Sequence, residues 1–239
     1  QAFKYGINAN LATLTNRVNK LQTYVKNITD DATHTKTVVG QPISSYYGYV
    51  FDGIYQNTSE ISTQLYSNAN GAVPGDIRFK DLNNDGQINA DDRDYIGNPI
   101  PKFTYGFAFS SSYKKFDFSF LIQGVKDVDV YNDLKQILNY ESRPFNSMTS
   151  VLNSWNGEGS TNSLPRVTFN NNGGGFVSSV FVEVASYLGL KNIELGYNFD
   201  AAKIGLPAVR LYASGQNLLT FTDYTGLDPG STSLINKGT

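Results

Sequence analysis

Apolar and polar side chains alternate along residues 3–11: Phe3, Tyr5, Ile7, Ala9 and Leu11 fall on one face, Lys4, Gly6, Asn8 and Asn10 on the other. Successive strand residues point to opposite faces, so this run predicts a strand with one greasy and one polar side. The same period returns in Phe103, Tyr105, Phe107 and Phe109, separated by Thr104, Gly106, Ala108 and Ser110. After the polar link Tyr113-Lys114-Lys115 come Phe116, Phe118, Phe120 and Ile122, interleaved with Asp117, Ser119, Leu121 and Gln123. These two runs predict a hairpin. A further pair is expected from about Phe181 to Phe199 and from Val209 to Asn217, joined by an Asp200–Pro207 turn. Its phase changes before Leu190, which predicts a bulge or bend near Gly189–Lys191.

Strands are thus expected at about 3–11, 103–112, 116–124, 180–199 and 208–217. Tight turns alternate with long excursions over 12–102 and 125–179, and residues 218–239 form a last loop. A β-sandwich would space its turns at roughly 8 to 12 residues. Short turns at one end and long loops at the other are the habit of an outer-membrane barrel. Spacing alone leaves the two architectures equally open. In the barrel reading the tight turns face the periplasm and the long loops face outside. Within those loops, Ser67–Ala72 and Asn170–Gly175 read as flexible and exposed, and Asn19–Asp31 could carry a short, poorly capped helix.

Composition changes the picture mainly by exclusion. With 16 Tyr, 15 Phe and 22 Gly, the chain suits strands and turns. A net charge of -2 supplies no basic face, which argues against a nucleic-acid partner. The absence of cysteine removes disulfides, thiol catalysis and Cys-ligated metals. No run of apolar residues is long enough for a transmembrane helix, so a membrane protein of this kind must be a barrel. Starting at Gln1 without a signal peptide suits a chain cut from something longer.

The sharpest chemical motif is Asp81-Leu82-Asn83-Asn84-Asp85-Gly86-Gln87-Ile88-Asn89-Ala90-Asp91-Asp92. Oxygen-bearing residues at loop positions 1, 3, 5 and 12, with Gly at 6 and an apolar residue at 8, match a calcium loop curling around a hard cation. Asp81, Asn83, Asp85, the Gln87 carbonyl and Asp92 are the expected ligands of a structural Ca2+. Asp92 stands where Glu is usual, so the loop is closer to the shorter calcium loops of secreted proteins than to a signalling sensor. The other reading is an Asx-Gly turn without an ion.

Enzyme chemistry finds little to stand on. His34, the one histidine, reads as a solvated loop residue, and the acid pairs Asp30-Asp31, Asp91-Asp92 and Asp127 with Asp129 read as solvated surface. Loop aromatics are candidates for contact with substrate or partner: Tyr46, Tyr47, Tyr49 and Trp155, with Phe51 and Tyr55 beside them. Packing of the loops together or contact with a partner protein is favoured over stacking on a ligand, and Trp155 is the best single ligand candidate.

Several stretches taken together resemble the SusC/RagA-like TonB-dependent transporters. Tyr46-Tyr47-Gly48-Tyr49 runs on to Asp52-Gly53-Ile54-Tyr55-Gln56, and Pro74-Gly75-Asp76-Ile77-Arg78 leads into the calcium-like loop. Ile96-Gly97-Asn98-Pro99, Ala185-Ser186-Tyr187-Leu188, Gly215-Gln216-Asn217-Leu218 and Tyr224-Thr225-Gly226-Leu227-Asp228-Pro229 continue the series in order. Gly189 stands where the family pattern suggests Arg.

The resemblance implies an all-β fold, a partial transmembrane antiparallel β-barrel of about five strands within a family barrel of about 22. It implies that residues 1–239 are a carboxy-terminal portion, with the plug domain and the final strand absent. It further implies a multi-pass barrel in the outer membrane of a Gram-negative bacterium, touching lipid and importing oligosaccharides or peptides. A SusD-like surface lipoprotein would be the lid, and the TonB complex would act through the missing amino-terminal part. No enzyme activity is expected. A secreted calcium-dependent glycan-binding or adhesion module is the alternative. It would bury Phe103, Tyr105, Phe107, Phe116, Phe118 and Phe120 between two sheets.

Overall fold

A computed structural model describes residues 2–61, 65–66, 71–140, 146–200 and 209–230. Its strands are β1 (Lys4–Thr13), β2 (Asn27–Asp30), β3 (Thr35–Val38), β4 (Ser45–Tyr49), β5 (Phe51–Ile54), β6 (Leu65–Tyr66), β7 (Ile77–Phe79), β8 (Gln87–Ile88), β9 (Arg93–Gly97), β10 (Phe103–Tyr113), β11 (Phe116–Lys126), β12 (Asp129–Tyr131), β13 (Val182–Val184), β14 (Tyr187–Phe199) and β15 (Val209–Thr222). The chain divides into two units, residues 1–15, 100–128 and 184–239, and residues 16–99 and 129–183.

The first unit is an antiparallel sheet in the order β1-β10-β11-β14-β15. Its register carries the alternation across all five strands. One row runs Ile7–Phe109–Phe120–Ile193–Gly215, and the adjacent row on the other face runs Gly6–Ser110–Ser119–Glu194–Ser214. On the apolar face Phe107 and Phe120 lie 5.8 Å apart, Phe109 and Phe120 5.5 Å, and Phe116 meets Tyr197 edge-on at 4.7 Å. Among the described residues of this unit no second sheet covers these rings. Tyr5, Ile7 and Leu211 are 68%, 60% and 65% exposed, and the buried hydrophobic cluster draws no residue from this sheet. The described residues of this unit therefore supply no second layer of the kind the sandwich alternative demands. Strands of 10 to 14 residues match the roughly 9–11 that a tilted strand needs to cross hydrocarbon. On the polar face Arg210 pairs with Asp117 and with Glu194, and Asn198 donates to Asp117 at 3.0 Å.

Two boundaries depart from the sequence reading. The expected strand 180–199 is broken: Ser179–Phe181 forms a helical turn, β13 pairs with β12, and β14 begins only at Tyr187. Between them Ala185 is fully buried and donates its N–H to Val128, while the Ser186 hydroxyl takes the Asp127 N–H. β15 runs on to Thr222, because Asn217, at φ 49, breaks the alternation without ending the strand. Opposite it the register shifts between Leu190 and Asn192, which puts the expected bulge at Lys191. The Asp200–Pro207 turn falls largely outside the described residues, as does most of Ser67–Ala72.

The excursions expected as loops hold the second unit, a cored body of short strands. β2-β3-β4-β9 make an antiparallel sheet, β5 pairs with β7, and β6 pairs in parallel with β8. Tyr46, Tyr49, Ile54, Ile77, Phe79, Tyr131 and Phe181 anchor its core. Asn19–Asp31 contains the strand β2 and no helix. The stretch Asn170–Gly175 is the reverse of a flexible loop: Asn172, Gly173 and Gly174 are buried. Asn172 donates to the Arg166 carbonyl and accepts from Gly174, and Ile77 donates to the Asn172 carbonyl at 2.9 Å.

Candidate functional site

The stretches of family resemblance become a mesh of contacts in the second unit. Arg78 pairs with Asp52 and with Glu60, both at 2.9 Å. Gly53 sits at φ 119, a left-handed conformation that costs glycine nothing, and the following Ile54 N–H reaches Asn162 Oδ1 at 2.7 Å. Gln56 accepts from Trp155 Nε1 at 3.2 Å and from the Gly159 N–H at 2.9 Å, and donates to the carbonyls of Ile54 and Thr161. Asp76 is buried and paired with Arg166 at 2.7 Å. Burial nevertheless outweighs that pairing and the Val73 N–H, and holds the Asp76 carboxyl above its ordinary pKa.

The calcium-like loop joins β7 to β9 and closes on itself. Asp81 Oδ2 accepts from Gly86 at 2.8 Å, Asn83 Oδ1 from Asp85 at 2.9 Å, and Asp85 Oδ1 from Gln87 at 2.8 Å. Asp92 is fully buried and takes the N–H groups of Leu82 and Asn89 on its two oxygens, at 2.9 and 2.8 Å. Asn83, Asp85 and Gln87 are exposed. Among the described residues no three acidic or histidine side chains gather as a ready-made metal set.

Of the aromatic candidates, Tyr47 and Tyr49 line a cavity of about 290 Å³ together with Asp30, Asp31, His34, Arg93 and Phe176. Tyr47 stands edge-on to Tyr95 at 5.4 Å, with Lys36 Nζ 3.8 Å over its ring. Tyr49 stacks on Phe79 at 5.0 Å and carries the Arg93 guanidinium 5.3 Å from its centroid. Tyr46 lies in the core 6.1 Å from Tyr131, where burial pushes its phenol up. Trp155 packs against the same core with its N–H committed to Gln56, so its surroundings are those of a structural ring.

The sequence reading missed Asp30, Asp31, His34 and Arg93 as cavity residues. His34 is no solvated loop residue: it is mostly buried, at φ 58, with its ring 4.3 Å from Tyr131 and Nε2 3.4 Å from Asp133. The Thr33 hydroxyl holds the exposed Asp30 carboxyl below its usual range. An acid pair followed three residues later by His, at the tip of a hairpin, was the available signal. Only the long-range pairing of β4 with β9 brings Arg93 to it.

No protein-family model matches the sequence. The chain is 38% identical over 195 residues to TonB-dependent receptor P3 of Formosa agariphila, covering 80% of this chain and 19% of that protein. It is 31% identical over 182 residues to the TonB-dependent receptor SusC of Bacteroides thetaiotaomicron, covering 74% of this chain and 17% of that one. The fold matches the RagAB peptide transporter with a TM-score of 0.72 at 23% identity, over 95% of this chain and 24% of the other. The open-open state of the RagAB peptide importer gives the same TM-score, 0.72, at 21% identity. The chain spans about a fifth of the length of the curated relatives it matches. Joined to a sheet with one apolar and one polar face, this likeness shows that the chain belongs to the SusC-like TonB-dependent receptors and carries part of an all-β barrel fold.

Proposed function

We propose that this chain supplies wall strands and external loops to a transporter that imports oligosaccharides or peptides across the outer membrane. Import is driven through the TonB complex and assisted by a SusD-like surface lipoprotein acting as a lid. The observation that carries this reading is the five-stranded sheet whose apolar face joins rows such as Ile7–Phe109–Phe120–Ile193 and leaves Tyr5, Ile7 and Leu211 exposed. A contiguous apolar face of that extent is a liability in water and a match to hydrocarbon, which argues against a secreted adhesion module.

The cavity favours a ligand that offers both charge and flat apolar surface. Asp30, Asp31 and Arg93 present opposite charges, and Tyr47 and Tyr49 present rings. Charged peptide termini and stacked sugar rings both suit that lining. Uptake of a labelled peptide mixture and of a labelled oligosaccharide mixture, in cells lacking the protein and in cells carrying it, separates the two. Arg93→Ala should depress uptake of peptide more than of sugar, and Tyr47→Ala the reverse. Uptake of both probes that is indifferent to deletion of the protein would sink the transport reading. Failure of a lipoprotein to co-purify with the tagged protein would remove the lid.

A further inference from the structure

Asp81 Oδ1 is shut off from solvent and accepts no hydrogen bond. Among the described residues only two other buried side-chain atoms share that condition, the hydroxyls of Ser154 and Ser178. A hydroxyl without a partner loses one neutral interaction, whereas an orphaned carboxylate oxygen is charge removed from water without compensation. Six amides of the loop are committed elsewhere. Those of Leu82, Asp85, Gly86, Gln87, Asn89 and Asp91 already donate to other side-chain oxygens or to Asp81 Oδ2.

We propose that the missing partner is a calcium ion, held in the Asp81–Asp92 loop. Asp81 Oδ1, the side-chain oxygens of Asn83, Asp85 and Asp92, and the Gln87 carbonyl stand at the loop positions that a calcium loop uses. Gly86, at φ 78, makes the sharp turn that brings position 1 back towards position 5. Beside the three Asp side chains, the remaining ligands are the Asn83 amide oxygen, the Gln87 carbonyl and water. Calcium accepts that mixture at six to eight coordination, while the smaller magnesium, held to an octahedron, resists it.

The ion would also act at a distance. Asp92 is followed directly by Arg93, whose guanidinium lies over Tyr49 at the cavity. Fixing Asp92 fixes the strand that presents Arg93, so calcium would be a positioning ion for the cavity and not a reactant.

The test uses the whole protein in detergent, stripped with a chelator and titrated calorimetrically with calcium chloride alone. Extracellular calcium modules bind at about 10⁻⁴ to 10⁻³ M, so the titration must run into the millimolar range. The wild type should bind one equivalent more than Asn83→Ala and than Asp85→Ala. Both altered side chains are exposed, and an unchanged circular dichroism spectrum confirms that each variant folds. Calcium should also raise the melting temperature of the wild type and leave that of both variants in place, and magnesium should do neither. Equal calcium uptake by wild type and variants, or no heat at millimolar calcium, overturns the proposal.

Discussion

The Tyr105 hydroxyl donates to the Tyr187 carbonyl at 3.0 Å, and the hydroxyl end of its ring crowds Gly124. A Cβ built on Gly124 would come within 2.5 Å of that ring and would also strike the Tyr187 carbonyl. Glycine is therefore required at a point where an aromatic from one strand covers the backbone of the next, a known way of shielding a bare strand glycine. Gly124→Val should displace Tyr105 and break the bond. Tyr105→Phe should keep the shield and lose only the hydrogen bond, at about 1 kcal/mol. Melting of both variants in detergent checks the order: the valine variant must be the less stable.

A second glycine makes a backbone contact of the same kind in the cored unit. The Cβ of an alanine at Gly174 would sit 2.6 Å from the Tyr140 carbonyl carbon, and the Gly174 carbonyl must stay in place to accept from Gln136 Nε2 at 3.0 Å. Gly174→Ala should cost about 1–3 kcal/mol, the range for overpacking a filled interior. Gly175→Ala, with nothing within 4 Å of its Cβ, should be nearly silent. Equal melting temperatures for the two variants would remove this account of the triple glycine.

These positions also show where sequence legibility stops. β10 and β11 could be read because period-2 alternation is a local signal, and Phe103 to Ile122 carry it through two long strands with a tight turn between them. The cored unit could not. Its strands are two to five residues long, too short for a period to establish itself, and they pair across distant sequence, as when the Tyr49 N–H meets the Val177 carbonyl. Asn170–Gly175 misled for a related reason: glycine that admits a close neighbour has the same letter as glycine in a mobile loop. The calcium-like motif was legible in full as spacing, but the orphaned Asp81 oxygen is a fact of burial that no spacing reveals.

Asp76 predicts a pH dependence. Its folded pKa is raised above the ordinary 3.8 by burial, so the folded chain holds this proton more tightly than the unfolded one. The contribution to stability is therefore complete below the ordinary value and is lost as pH rises through the folded value. Asp76→Asn removes the titration while leaving Arg166 charged throughout. The melting difference between wild type and Asp76→Asn should shift in favour of wild type as pH falls from neutrality towards 4. A shift in the opposite direction would mean that the Arg166 pair outweighs desolvation.

Gln56 closes the segment of family resemblance that begins at Tyr46, and its environment explains why a neutral amide stands there. The carbonyl end takes two donors, Trp155 Nε1 and the Gly159 N–H, while the amino end supplies the carbonyls of Ile54 and Thr161. Both ends are used, so the two obvious replacements fail differently. Gln56→Glu keeps an acceptor for Trp155 and Gly159 but turns charge against two carbonyl oxygens. Gln56→Leu abandons all four partners, of which the Trp155 N–H is the one held against the core. Leaving buried polar groups unpaired costs about 1–3 kcal/mol each, so the leucine variant should melt lowest and the glutamate variant between it and wild type. Trp155 is the only tryptophan of the chain, which makes its fluorescence a direct reporter. Emission should move to longer wavelength in Gln56→Leu before any global unfolding, and an unmoved spectrum would mean that packing alone holds the indole.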